Sequence, residues 1–202
     1  MSIQTTPLQR TDIAPLSRIP PREFLTERLR LRAVEISDAP LIFNLYAKDP
    51  TATKYMSFKC TGKIEDTQPF LTQAALSFAG QPSSIKHFAW LIQIKDSSEY
   101  IGSCGLGPTG PTTISGGYIL NQNFWGKGYA SEAWKCLVEW AKTQPEVLRI
   151  EATHHPDNPA SGKVMEKAGM TYEGILPNHQ VLPNVSDEKV DVAVCAWLRN
   201  AP

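Results

Sequence analysis

Asn121–Lys142, "NQNFWGKGYASEAWKCLVEWAK", is the stretch on which the fold turns. Gly126 and Gly128 flank Lys127, and Trp125 and Tyr129 stand on either side of that trio. Behind them Ala130, Ala133, Trp134, Leu137, Val138 and Ala141 fall on one helical stripe, so a helix from about Gly128 to Lys142 packs one face on a sheet. The first turn of such a helix carries N–H groups with no intrahelical partner, and its dipole adds partial positive charge. Glycines without a Cβ let a large anion approach that main chain, and Lys127 supplies a mobile cation. A tight strand-to-helix turn accounts for the same two glycines equally well. The pattern is neither G-x-x-x-x-G-K-[ST] nor G-x-G-x-x-G, which disfavours nucleoside-triphosphate and dinucleotide sites.

Working outward, the preceding segments read as strands: "HFAWLIQIK" (87–95), "YIGSCGLG" (100–107) and "ISGGYIL" (114–120). Their connections "DSSE" and "PTGPTT" are rich in turn formers, as in an antiparallel meander. Upstream, "RLRLRAV" from Arg28 alternates as a strand with one wet face. "SDAPLIFNLYAK" follows as a helix capped by Ser37 or Asp38, and a second helix covers about Glu65 to Ala79. Downstream come "LRIEAT" (148–153), a helix of about Pro159 to Ala168 ended by Gly169, and the strands "TYEGIL" and "KVDVAVCAWL". Residues 1–24 show no period and form an irregular extension ahead of one domain, 25–202.

The 202 residues suffice for a sizeable core. Twenty basic residues balance twenty acidic ones, so no global field favours nucleic acid or an anionic membrane. Cys60, Cys104, Cys136 and Cys195 lack metal-site spacing, which disfavours zinc and a disulfide framework. No secretory signal and no run of about 18 apolar residues is present, and a reducing cytoplasm is expected.

Three blocks in order resemble the GNAT superfamily of acyl-CoA-dependent N-acyltransferases, within it the RimJ/RimL-like branch of ribosomal-protein-alanine acetyltransferases. They are "LTERLRLRAVEISDAPLIFNLY", "ISGGYILNQNFWGKGYASEA" and "RIEATHHPDNPASGKVMEKAGMTYEG". The resemblance implies an α/β (α+β) fold: a mixed, mostly antiparallel sheet of about seven strands, flanked by about four helices and splayed between the fourth and fifth. It implies acetyl-CoA as acyl donor, with no metal. The diphosphate would lie on N–H groups of Gly126, Lys127, Gly128, Tyr129, Ala130 and Ser131, and the pantetheine would pair with the strand edge at Ile119 and Leu120. Asn158 and Ser161 would face the thioester from the following helix. The partner would be an amine acceptor, a peptide N-terminus or a small molecule, without membrane or nucleic acid, in a monomer or homodimer.

The implied chemistry is direct attack of an amine on a thioester. An N–H donor near Ile119 or Leu120 could hold the oxyanion for ~3 kcal/mol. Neutralising an α-amine of pKa ~8 at pH 7 costs about 1.4 kcal/mol against about 5 for a lysine, which favours weakly basic acceptors. The chain departs from the family in several places. Asn123 stands where Gln or Arg is usual, Met165 where many members carry an acidic tyrosine, and Gln180 where the branch has a carboxylate. Ser161 becomes the proposed acid, and Glu151, His154, His155 and His179 are the candidate bases. In "THHPDN" the adjacent histidines of an extended chain point to opposite sides, which disfavours a metal site. Tyr118, Trp125 and Tyr129 are read as packing residues. Two rival functions remain open: a non-catalytic acyl-CoA sensor of the same fold, or an enzyme using a longer acyl donor such as succinyl-CoA.

Overall fold

A computed structural model of the chain describes Leu16, residues 18–80 and residues 87–199. Among the described residues eight strands form one sheet in the order β1-β2-β3-β4-β5-β6-β8-β7. They are β1 Glu23–Leu25, β2 Leu29–Ala33, β3 Phe88–Ile94, β4 Tyr100–Pro108, β5 Thr113–Leu120, β6 Arg149–His154, β7 Thr171–Val181 and β8 Lys189–Leu198. Every pairing is antiparallel except β5 with β6. The expected strands are all present. β1 is an addition, paired antiparallel with β2 where the sequence shows only an irregular stretch up to residue 24.

Helices cover both faces. α1 Ala39–Ile42 is entered through a 3-10 turn and continues as a π-helical turn, Phe43–Ala47; α2 Pro50–Thr53 and α3 Gln68–Phe78 complete that face. α4 Tyr129–Lys142 and α5 Pro159–Lys167 lie on the other. Alternating side chains of the middle strands therefore enter two different cores. Trp90, Ile92 and Ile114 join Trp134, Leu137 and Val138 of α4, whereas Leu91 and Ile119 join Ile42, Tyr46 and Leu71. Trp134 is fully buried, and a side chain of this kind contributes about 2–3 kcal/mol on leaving water.

The entry to α1 differs from expectation. Asp38 does not act as a simple N-cap; it accepts the Glu35 N–H in a reciprocal capping box and holds the guanidinium of Arg32 with both oxygens, at 3.0 and 2.8 Å. That fork ties β2 to the first helical turn. Most of the extension ahead of Leu25 lies outside the described residues. Its described end is packed: Leu16 is buried in the core, and the Pro21 carbonyl accepts from the Trp90 indole at 3.0 Å. β7 is longer than "TYEGIL", because it runs on through a register shift between Leu176 and Gln180 that absorbs Pro177–His179. Among the described residues no helix is long and apolar enough to cross a membrane.

Gly116 and Gly117, adjacent in β5, face opposite sides and differ in space. A Cβ on Gly116 would meet the Gly105 carbonyl and stand 2.9 Å from Cη2 of Trp134, while one on Gly117 would meet nothing within 4 Å. Gly116→Ala should therefore cost about 1–3 kcal/mol in urea unfolding, and Gly117→Ala less than about 0.5 kcal/mol.

Candidate active site

The β5–β6 ladder is short. It pairs Thr113 with Arg149, Ile114 with Ile150 and Ser115 with Glu151, and beyond them the strands part. β5 continues to Leu120 on β4 alone, and β6 continues to His154 on β8 alone. Which main-chain groups line the gap follows from antiparallel alternation. Asn121 donates to the Ile101 carbonyl and Thr109 to the Thr113 carbonyl, so the odd-numbered residues of β5 are the ones bonded to β4. Pro108, which has no N–H, pairs with even-numbered Ile114 in the same register. Gly116, Tyr118 and Leu120 therefore turn their N–H and C=O groups toward the gap, with the Leu120 carbonyl taken by the Trp125 indole at 2.9 Å. The main chain of Ile119 is turned toward β4, and its side chain enters the core of α1 and α3. The edge expected at Ile119 and Leu120 thus presents its free donors at Tyr118 and Leu120.

The gap opens into a cleft of about 1330 Å³ at the carboxyl ends of β5 and β6. One end is the loop before α4. Gly126 and Gly128 have φ of +75° and +82°, the left-handed region that a residue without a Cβ adopts freely. The first intrahelical bond runs from the Glu132 N–H to the Gly128 carbonyl, and no side chain caps Gly128. The N–H groups of residues 128–131 precede that bond and open onto the cleft, which Gly126, Gly128, Tyr129, Ala130 and Ser131 all line. Lys127 holds its ammonium 5.1 Å from the centre of the Phe124 ring. The Asn123 N–H is spent on Asn121 Oδ1, and Asn121 Nδ2 reaches the Leu45 carbonyl, which anchors the loop to the π-helical turn.

The far wall is α5. Asn158 is its N-cap residue but makes no side-chain cap bond, and it lines the cleft. Ser161 meets Tyr118 across the gap: the phenol lies 2.7 Å from the Ser161 carbonyl and 2.8 Å from its Oγ. A carbonyl can only accept, so the phenol proton goes there and the Ser161 hydroxyl donates to the phenol oxygen. Burial pushes the Tyr118 phenol well above its ordinary pKa, and the Ser161 bond offsets part of that rise. Tyr118 was legible as packing; its polar end is the part the pattern missed. His154 Nδ1 is bonded to the His155 carbonyl at 2.9 Å, which leaves Nε2 against α5. There a Cβ on Gly162 would stand 2.7 Å from it, so the helix carries a glycine. Met165 is buried and offers no acid.

The candidate bases separate. His154 and His155 line the cleft, and His155 stacks on Tyr55 with ring centres 4.9 Å apart. Glu151 and His179 instead line a shallow pocket of about 320 Å³ on the β6–β7–β8 face, which shares only Thr153 with the cleft. The Glu151 carboxylate is paired with Arg149 at 2.7 Å, and Arg149 also holds Glu173. Gln180 accepts from the Thr153 hydroxyl at 3.1 Å. His87, at the head of β3, lies in the cleft wall beside Phe70, with burial lowering its pKa to about 4. A lone histidine outside any motif gave no signal in the sequence. Among the described residues no three His, Cys, Asp or Glu side chains gather as a metal site.

Comparison with known proteins gives the same region a lineage. The model of the Acetyltransferase (GNAT) domain matches residues 28–171. The N-acetyltransferase p20 of Bacillus licheniformis is 34% identical over 160 residues, covering 77% of this chain and 85% of that protein. The crystal structure of a GNAT-family acetyltransferase from Bacillus anthracis superposes with a TM-score of 0.71 at 26% identity, covering 87% of this chain and 98% of the other. RimL, a ribosomal L7/L12 alpha-N-protein acetyltransferase solved with coenzyme A, superposes with a TM-score of 0.73 at 21% identity, covering 91% and 99%.

His87 makes stability depend on pH. Its folded pKa lies below the unfolded value of about 6.5, so its contribution is complete above that value and is lost as pH falls toward 4. Between pH 7.5 and pH 5 the wild type should lose about 2 kcal/mol more in urea unfolding than His87→Asn.

Proposed function

The chain belongs to the GNAT family of acetyltransferases, and on that premise we propose that it moves an acetyl group from acetyl-CoA to a weakly basic primary amine, a peptide α-amine or a small molecule. The observation that carries this reading is the adjacency of two unsatisfied main-chain surfaces: the free edge of β5 and the uncapped first turn of α4. A diphosphate suits the second and an amide-bearing arm suits the first. The solved structure of RimL with coenzyme A supports the same donor.

In this reading the diphosphate rests on the N–H groups of residues 126–131 with Lys127 near it, and the pantetheine follows the Gly116–Leu120 edge. The thioester then lies between Tyr118 or Leu120 N–H and the start of α5, with Asn158 and Ser161 beside it. The amine nitrogen bonds to the carbonyl carbon, the C–S bond breaks, and the ammonium proton leaves to solvent. The Ser161 hydroxyl gives its proton to the departing thiolate, the Tyr118 phenol turns its proton from the Ser161 carbonyl to the Ser161 oxygen, and solvent returns a proton to the phenol. Removing a positioned acid of this kind costs about 10²–10⁴-fold where proton transfer limits the step. Glu151 has no part here, since its carboxylate is committed to Arg149 outside the cleft.

Thiol release from acetyl-CoA, followed with a panel of free-N-terminus peptides and small amines and with mass detection of the product, tests the proposal. Turnover is expected with at least one weakly basic amine. Ser161→Ala should lower kcat by about 10²-fold and leave coenzyme A binding within about 2-fold. Tight coenzyme binding with no turnover across the panel would refute acetyl transfer and leave the sensor role or a longer acyl donor.

A further inference from the structure

A carboxylate sits beside the surface assigned above to a diphosphate. Glu132 is the fourth residue of α4, and its N–H makes the first helical bond, one turn from the donors of residues 126–131. An unpaired negative charge there would repel the ligand that those N–H groups attract. The charge is not left unpaired. Glu132 Oε1 accepts from the Thr26 hydroxyl at 2.6 Å and from the Arg28 main-chain N–H at 2.8 Å, and Oε2 accepts from Arg28 Nε at 2.6 Å. Burial alone would raise the Glu132 carboxyl; the bonds from Thr26 and Arg28 outweigh it and hold the group below the ordinary range.

Arg28 does more than pair. Its Nη1 donates to the Lys127 carbonyl at 3.1 Å, and its guanidinium lies 4.7 Å from the centre of the Tyr129 ring. Its Nη2 is so close to Gly128 that a Cβ there would stand 3.3 Å away. One side chain thus grips Lys127 two residues ahead of the helix, the first residue of the helix and the acid of its first turn. The grip comes from a fixed place. Thr26 and Leu29 close the turn between β1 and β2, with the Thr26 N–H bonded to the Leu29 carbonyl and the Leu29 N–H to the Thr26 hydroxyl.

We propose, resting on the function given above, that Arg28 is a positioning residue of the diphosphate cradle: it cancels the charge of Glu132 and pins the Lys127 carbonyl away from the ligand, so that the loop's N–H groups face it. The two halves of that role separate experimentally. Arg28→Ala strips the counter-charge and the pin together and leaves Glu132, still bonded to the Thr26 hydroxyl and the main-chain N–H of residue 28, as an anion without a counter-charge near the ligand. Arg28→Ala with Glu132→Gln removes the anion as well. Arg28→Lys keeps a charge but loses the planar fork that reaches Glu132 and the Lys127 carbonyl at once.

Calorimetric titration of coenzyme A into the full chain at low salt measures the effect, with thermal unfolding recorded for each variant. Arg28→Ala is expected to weaken binding at least about 10-fold and to raise KM for acetyl-CoA more than it lowers kcat. Arg28→Lys should recover only part of the loss. Adding Glu132→Gln to Arg28→Ala should restore at least half of the loss on a logarithmic scale, although the double variant is no more heat-stable than the single one. The defect should also shrink in about 0.5 M salt, where charges are screened beyond a few ångströms. A double variant that binds as weakly as Arg28→Ala, or a defect indifferent to salt, would show that Arg28 only packs, and wild-type affinity in Arg28→Ala would refute the proposal outright. Wild-type chain that binds no coenzyme A would overturn the proposed function itself, and this inference with it.

Discussion

The parallel ladder between β5 and β6 stops after Ser115 and Glu151, and the cleft depends on that stop. A main-chain donor or acceptor left without a partner away from water costs about 1–3 kcal/mol, so two strands in one sheet ordinarily stay paired as long as they run side by side. Here each finds its remaining bonds on its outer neighbour, β4 for one and β8 for the other. The inner edges are left for solvent or a ligand. A bridge from Tyr118 to the main chain and hydroxyl of Ser161 spans the distance that the ladder no longer covers.

Around this gap the two faces divide their tasks. α4 is buried along Trp134, Leu137, Val138 and Ala141, which fixes where its first turn points. The loop ahead of it is then held from two sides, by Asn121 on the π-helical turn and by Arg28 on the Lys127 carbonyl. Donors that are fixed before a ligand arrives need little reorganisation to bind it. The opposite face, α1 to α3 with the segment after α2, supplies aromatic walls and the half-buried His87, neutral above the low pKa that burial gives it. Both sets of walls converge where β5 and β6 end, the usual place for a site in a sheet with parallel neighbours.

Much of this was legible in the residues. α4 and β8 carry long, strongly periodic patterns, and the structure gives β8 the same limits as the sequence, Lys189–Leu198. β1 has three residues, too few to show alternation, and its pairing with β2 is a tertiary fact. β7 runs on past "TYEGIL" through Pro177 and Asn178, two turn formers; Asn178 takes a φ of +48°, yet β8 keeps the strand paired on either side of it. The family resemblance pointed to the β5 edge but not to its parity, which depends on which residues bond β4. Glu151 alternates with apolar neighbours as a residue facing a cleft would, and no pattern could reveal that Arg149, two residues away, claims its carboxylate. Tyr118 and Ser161 are 43 positions apart, so their contact lay beyond any local signal.

The segment that follows α2 is fastened to the β7–β8 link by one amide. Asn184, in the link between β7 and β8, accepts from the Cys60 N–H and donates to the carbonyls of Thr53 and Phe58, each at 2.8 Å. All three partners are main-chain atoms, so the fastening is blind to the side chains that Lys54, Tyr55, Met56, Ser57, Phe58 and Lys59 happen to bear. Tyr55 and Met56 are tied by their own contacts, on His155 and in the core of α1 and α3, but the rest of this wall is an exchangeable panel: its chemistry can be rewritten by substitution while the peg and the sheet stay as they are. A lineage with such a panel can change the molecules it serves without having to reinvent the fold that serves them.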